Sequence, residues 1–357
     1  MIGSTAVYHF VSKESHMLCG NQQRTKFATC IISLALLPGT ALAQRVSLTD
    51  LDQRLTTVEQ KPTPEQIGML RWFAARTGIS FQVGLGPAGL TFDGSHIWVA
   101  ILGEGKVAKL RASDGFVEGT FAAGDNPWML AFDGASIWVT DYYNSTVTKL
   151  RASDGAPQGT FPVGSAQGWI AFDGVNIWVT GPNGNTVTKL RASDGAAQGT
   201  FPVGPFPHGI AFDGANIWVA NNGNSTLTKL QASNGALLGT FPTPNPGPWG
   251  IAFDGANIWV GSNFYDRFGN PSGNTVMKFR ASDGAPLGTF PVGTAPYGIA
   301  FDGTSIWVGA GSNVTKLRAS DGAAQGTFPV GSGAIGIAFD GANIWVANIG
   351  SNSVSKL

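Results

Sequence analysis

Residues 207–219 read Pro207-His-Gly-Ile-Ala-Phe-Asp-Gly-Ala-Asn-Ile-Trp-Val219. Two short apolar runs flank an Asp-Gly pair, which favours a tight hairpin because both turn positions tolerate a positive φ. The Ile-Trp-Val triplet recurs, with its tryptophan at Trp98, Trp138, Trp178, Trp218, Trp259, Trp307 and Trp345. Successive spacings are 40, 40, 40, 41, 48 and 38 residues. A period near forty with several short strands per copy is the signature of a propeller blade. After the hairpin each copy continues with segments like Thr186-Val-Thr-Lys-Leu-Arg191 and Gly199-Thr-Phe-Pro-Val-Gly204. These complete four strands, a to d, running from channel to rim. Turn sets such as Ser153-Asp154-Gly155 join c to d. Pro162, Pro202 and Pro291 recur in strand d, where an outer strand has one unpartnered edge and tolerates them.

Closure is also legible. The last copy stops in strand c at Ser353-Val-Ser-Lys-Leu357, while Ile79-Ser-Phe-Gln-Val-Gly84 matches strand d and precedes the first strand a. The sequence therefore predicts an all-β, seven-bladed β-propeller over residues 79–357. Its N-terminal strand completes the last blade and removes the edge that a linear array would expose.

Upstream, Arg24 and Lys26 precede an apolar run of about eleven residues ending at Leu37, followed by Ala41-Leu-Ala43. That order is a secretory signal peptide with cleavage after Ala43, and the run is too short to span a bilayer. Met17 is the expected start, residues 1–16 resembling upstream read-through. Residues 44–78 are expected to form a helical neck. Leu48, Leu51, Leu55 and Val58 repeat at heptad spacing, consistent with a weak homo-oligomer through residues 46–61 or with an amphipathic helix lying on the propeller. Thr63, Pro64 and Gln66 make an N-terminal capping pattern for a second helix ending near Gly78. An exported protein, periplasmic or secreted, is the expectation, with no transmembrane segment after cleavage.

Composition narrows the function classes. The chain holds 22 basic and 22 acidic residues, so no basic stripe points to nucleic acid. Its 50 glycines accompany 43% hydrophobic residues and 11 tryptophans, which suits many turns around a large core rather than disorder. Both cysteines, Cys19 and Cys30, precede the cleavage site, so the mature chain is expected to lack thiol and disulfide chemistry.

The Pro-x-Gly-Ile-Ala-Phe-Asp-Gly-x-x-Ile-Trp-Val repeats resemble the bacterial YVTN/YncE-like and NHL-like propellers, and more distantly the virginiamycin B lyase-like propellers. The first resemblance implies the blades and no single function. The last implies a metal-assisted lyase with histidines and glutamates on the channel face. Only Pro207-His208-Gly209 echoes that motif here.

Among near-identical copies, the differing positions are the informative ones. The d–a and b–c loops share one face, and it varies; the a–b and c–d turns share the other, which is nearly constant. The residue before strand a runs Ala88, Trp128, Gly168, His208, Trp249, Tyr297 and Ile335, with the blade 3 aromatic displaced to Trp169. Tyr142 and Tyr143 lie in the blade 2 b–c loop. Blade 5 has the long insertion Asn263–Asn274, bearing Phe264, Tyr265, Asp266 and Arg267. The candidate ligand-binding set is thus Trp128, Tyr142, Tyr143, Trp169, His208, Trp249, Phe264, Tyr265, Arg267 and Tyr297. Aromatic faces with a few polar groups suit an unidentified small molecule, glycan or protein partner.

Catalytic chemistry finds little support. His96 and His208 are the only histidines beyond residue 43, and Glu104 and Glu118 the only glutamates in the repeats. No metal ligand set, cofactor motif, nucleophile elbow or phosphate loop is read. The strand-c lysines (Lys109, Lys149, Lys189, Lys229, Lys278, Lys316, Lys356) are expected to be outer-strand charges that discourage edge pairing. The triplet tryptophans are expected to pack blade against blade.

Overall fold

The computed structural model describes residues 78–164, 168–264 and 272–357. The signal-peptide and neck expectations lie outside the described residues. Seven four-stranded antiparallel sheets form, each with its strands in the order a-b-c-d. Blade 4 is representative, with strands Pro207–Phe212, Asn216–Asn221, Thr226–Gln231 and Leu237–Pro242. In blade 7 the outer strand is Ile79–Gln82, paired with Ser353–Lys356 so that Phe81 faces Val354. Short 3-10 turns, unforeseen from the sequence, shape three b–c loops, at Leu102–Glu104, Pro182–Gly184 and Asn222–Asn224.

The core is one wedge repeated. Six triplet tryptophans are fully buried, and Trp307 is 8% exposed. Each packs against a strand-d phenylalanine, from Trp98–Phe121 around to Trp345–Phe81, with ring centres 5.3–5.6 Å apart. A buried indole N–H needs an acceptor. The a–b turn supplies it in every blade: Trp218 Nε1 donates to Asp213 Oδ2 at 2.8 Å, and the other six bonds span 2.7–2.8 Å. The other oxygen of Asp213 accepts the turn N–H groups of Ala215 and Asn216. Each aspartate thus both shapes its turn and anchors its tryptophan.

The lysines correct the sequence reading. They lie on strand c, the third of four strands, and most are buried rather than displayed. Lys229 Nζ donates to Ala281 O at 2.7 Å and Ser282 O at 3.2 Å, both in the c–d turn of the next blade. Lys109, Lys149, Lys189, Lys278 and Lys356 repeat this bond, the last carrying it from blade 7 to blade 1. Lys316 differs. Strands c and d of blade 7 come from opposite ends of the array, so no c–d turn faces it among the described residues. It approaches its own blade's Asp302 at 3.8 Å instead. The same turns lay a glycine over the preceding blade's phenylalanine. Gly235 has φ +76°, and a side chain there would run into the ring of Phe201.

His96 on strand b of blade 1 reaches strand d and the a–b turn: Nε2 lies 3.1 Å from Glu118 and Nδ1 3.3 Å from Asp93. At the equivalent places Ser136 bonds Gln158 and Ser305 bonds Gln325.

Candidate functional site

Strand a lines the channel, and the structure places its variable residues inside that strand rather than before it. In six blades the strand starts one residue earlier, and its pairing with strand b slips between the first and fourth residues, as between Pro207 and Ile210. The variable residue is the second of the strand, inside the slipped stretch. Below it, Leu90, Leu130, Ile170, Ile210, Ile251, Ile299 and Ile337 form an aliphatic collar, one residue per blade, around a cavity of about 160 Å³.

Between mouth and collar five blades carry glycine: Gly89, Gly209, Gly250, Gly298 and Gly336. Their missing side chains let neighbouring strands touch; a Cβ on Gly250 would strike Tyr297 O. The exceptions are Met129 and Trp169, and both line the collar cavity. The Trp169 ring crosses the channel, its Cη2 coming within 3.5 Å of where a Gly250 side chain would begin. Strand a of blade 3 is shorter, Ile170–Phe172. Thr180 repairs the loss: its Oγ1 accepts from Trp169 N at 2.8 Å and donates to His208 O at 3.0 Å. In blade 2, Thr140 Oγ1 likewise accepts from Met129 N at 3.0 Å. Other blades carry alanine or glycine at the Thr140 and Thr180 positions. Sequence reasoning missed Met129, Thr140 and Thr180. Their joint departure from the repeat was the available signal.

The aromatics form two groups above this floor. In blades 4 to 6, the His208 ring stacks on Trp249 at 3.7 Å between centres and 18° between planes, and Trp249 meets Tyr297 edge-on at 5.4 Å. Burial pushes the His208 imidazole down from 6.5 to about 4, so it is neutral at pH 7. In blade 2, Trp128 is 8% exposed beneath Tyr142, and Tyr143 stands on Tyr142 with 65% of its surface free. Trp128 therefore presents little of its own surface at the mouth. Phe264 is half-buried, its carbonyl accepting from Ser272 N across the base of the insertion. Tyr265 and Arg267 lie outside the described residues.

Among the described residues, three polar atoms near blade 5 are buried without partners: Trp249 Nε1 and both side-chain amide atoms of Asn263. Asn263 N donates to Gly247 O, two residues before Trp249, and Asn263 O accepts from Asn222 Nδ2 of blade 4 at 3.1 Å. Trp249 Nε1 thus belongs to the ring that stacks on His208, and Asn263 is tied by its backbone to the segment leading into Trp249. Asp141 is the contrast. It is equally buried, yet it accepts from Asp125 N, Asn126 N, Tyr143 N and Asn144 N. Burial pushes its carboxyl up, but those bonds outweigh burial and hold it below the usual carboxylate range. Among the described residues, no three histidine, cysteine, aspartate or glutamate side chains are grouped to hold a metal ion.

Fold and mouth together define a closed seven-bladed propeller with an aromatic, partly plugged channel entrance. No protein-family model and no curated protein matches the chain. Solved structures do share its architecture. Hydrazine synthase of Kuenenia stuttgartiensis matches with TM-score 0.67 and 17% identity over 76% of this chain and 95% of that one. A streptogramin B lyase matches with TM-score 0.65 and 22% identity, covering 78% and 96%. Virginiamycin B lyase from Staphylococcus aureus matches with TM-score 0.64 and 21% identity, covering 78% and 99%. The expected likeness to virginiamycin B lyase-like propellers is present at the level of fold.

Proposed function

We propose that the chain is an exported binding propeller that captures a small molecule, glycan or protein group at the mouth formed by its d–a and b–c loops. The observation that carries this reading is Trp249 Nε1, buried without a partner on the ring that stacks on a neutral His208, in the blade that also holds the unpartnered amide of Asn263. Buried polar groups in native proteins are almost always hydrogen-bonded. A donor left open on a stacked aromatic ring suits a planar or ring-shaped ligand bearing an oxygen acceptor. The plugged floor favours retention over passage through the channel.

The test is a glycan and small-molecule array with the purified protein, followed by titration of each hit against Trp249→Phe. Phenylalanine keeps a stacking ring and deletes the N–H, so affinity should fall by roughly tenfold while the melting temperature barely moves. Hits that bind the variant with undiminished affinity would remove the site.

A second reading, a divergent metal-dependent lyase or lactone hydrolase centred on His208, draws on the shared fold and on that neutral imidazole. The described residues do not fit the metal such a reaction needs, because no carboxylate or second histidine joins His208. Thermal shift with divalent ions discriminates: stabilisation that His208→Phe abolishes would favour the lyase.

A further inference from the structure

The near-constant face opposite the mouth carries its own cavities. Grooves of about 350, 430 and 330 Å³ lie between blades 1 and 2, 2 and 3, and 3 and 4. One set of groups recurs in all three. The first blade provides its a–b turn aspartate (Asp93, Asp133 or Asp173) and its strand-c lysine (Lys109, Lys149 or Lys189). The next blade provides its c–d turn serine (Ser153, Ser193 or Ser233) and its a–b turn glycine (Gly134, Gly174 or Gly214). Phe172 and Phe212 add an apolar wall to the second and third.

The chemistry of a groove follows from what is already used. The lysine gives two N–H groups to carbonyls, and the aspartate accepts an indole N–H and two turn N–H groups. Their charges offset within one groove, so neither an anion nor a cation is favoured. Free for a ligand are the exposed serine hydroxyl, which has no protein partner among the described residues, and the bare glycine turn, with nothing within 4 Å of its missing side chain. A neutral, hydroxyl-rich ring matches that combination, its C–H face on the phenylalanine and its hydroxyls toward the serine. The Lys–carbonyl bond that builds each groove recurs at six of the seven blade junctions and fails only at blades 6 and 7.

We infer that this face is a multivalent carbohydrate-binding surface, with one weak site for a neutral sugar unit at each of these three grooved junctions. Equivalent sites on one rigid ring hold a polymer of identical units by avidity, which exceeds single-site affinity by about 100-fold or more without new contacts. The site is separate from the mouth and does not depend on the function proposed for it.

Calorimetry with glucose, galactose, mannose and N-acetylglucosamine, each against a soluble polymer of the same sugar, tests this. Expected are more than one monosaccharide per chain and a polymer affinity at least about 100-fold higher. The doubly substituted Ala135→Trp/Ala215→Trp chain should lose sites. Val175 already carries a larger side chain at the equivalent exposed position, so the turn accepts bulk. The Ser153→Ala/Ser193→Ala/Ser233→Ala chain, altered only at exposed hydroxyls, should weaken binding in the same way. Trp249→Phe should leave it untouched. Absence of binding by all four sugars and their polymers overturns the inference. So does a single site per chain, multiple sites indifferent to both groove variants, or binding that Trp249→Phe removes, which would assign it to the mouth.

Discussion

The Lys229 ammonium sits 5.0 Å from the centre of the Trp218 ring in its own blade, while its two hydrogen bonds go to Ala281 and Ser282 of the next. One side chain thus covers the buried tryptophan of one sheet and satisfies the turn of its neighbour. Cation–π attraction and charge-assisted bonds act together in a site nearly closed to water.

Replacing Lys229 by methionine keeps the stem over Trp218 but strands two carbonyls without donors. The expected cost is about 2–3 kcal/mol. Lys316→Met, at the junction without a receiving turn, should cost less than about 1 kcal/mol. Urea titration of both variants decides; equal losses would contradict the inter-blade role.

Gly235 and Gly214 separate backbone strain from packing. Both have positive φ, +76° and +96°, but only Gly235 lies against a neighbouring blade's ring. Gly214→Ala should cost about 1–2 kcal/mol from strain alone. Gly235→Ala adds the collision with Phe201, so its melting temperature should fall clearly further.

The imidazole of His208 makes stability fall with acid. Burial lowers its folded pKa from 6.5 to about 4, so the unfolded chain takes up the proton first. Stability should be full above pH 6.5 and decline as pH falls toward 4, by up to about 3 kcal/mol. His208→Phe should flatten that interval of the urea-midpoint profile.

A second acid phase should follow below pH 4. Burial pushes the Asp213 and Asp254 carboxyls up, but bonds from Trp218 and Trp259, from Asn216 and Asn257 and from the turn N–H groups outweigh it, leaving both below 3.8. A depressed carboxylate contributes stability above its unfolded pKa and loses it as pH falls through the folded value. Asp213→Asn should therefore destabilise at pH 7 by about 1–2 kcal/mol and shrink the difference from the parent below pH 4.

Trp169→Gly combined with Thr180→Ala makes blade 3 resemble the five blades that carry glycine at that position. Losing the indole should cost about 3–5 kcal/mol and remove the mouth's floor. Any ligand resting on that floor would lose affinity in parallel, measurable by the same titrations as for Trp249→Phe.

Blade count, strand order and the join between Phe81 and Val354 could be read directly, because period and alternation are local properties that each copy states again. The tryptophans could be placed in the core for the same reason. The lysines could not: lysine in a strand reads as solvent-facing until the acceptors, 43 residues further on in the case of Lys109 and Ala152, are brought beside it.

The mouth was legible as a list of aromatic departures from the repeat, but not as an arrangement. Residue number says nothing of whether a ring lies over the channel, as Trp169 does, or beneath another ring, as Trp128 does. The sequence by itself determined that forty-residue units close into a seven-fold ring, since each sheet must bury both faces against its like. Only the tertiary structure decided which groups meet across blades: the staples, the plugged channel, the His208–Trp249 stack and the unpaired atoms of Asn263. Those contacts join residues of different copies, and their distances depend on how the blades are inclined to one another, a quantity no single repeat encodes.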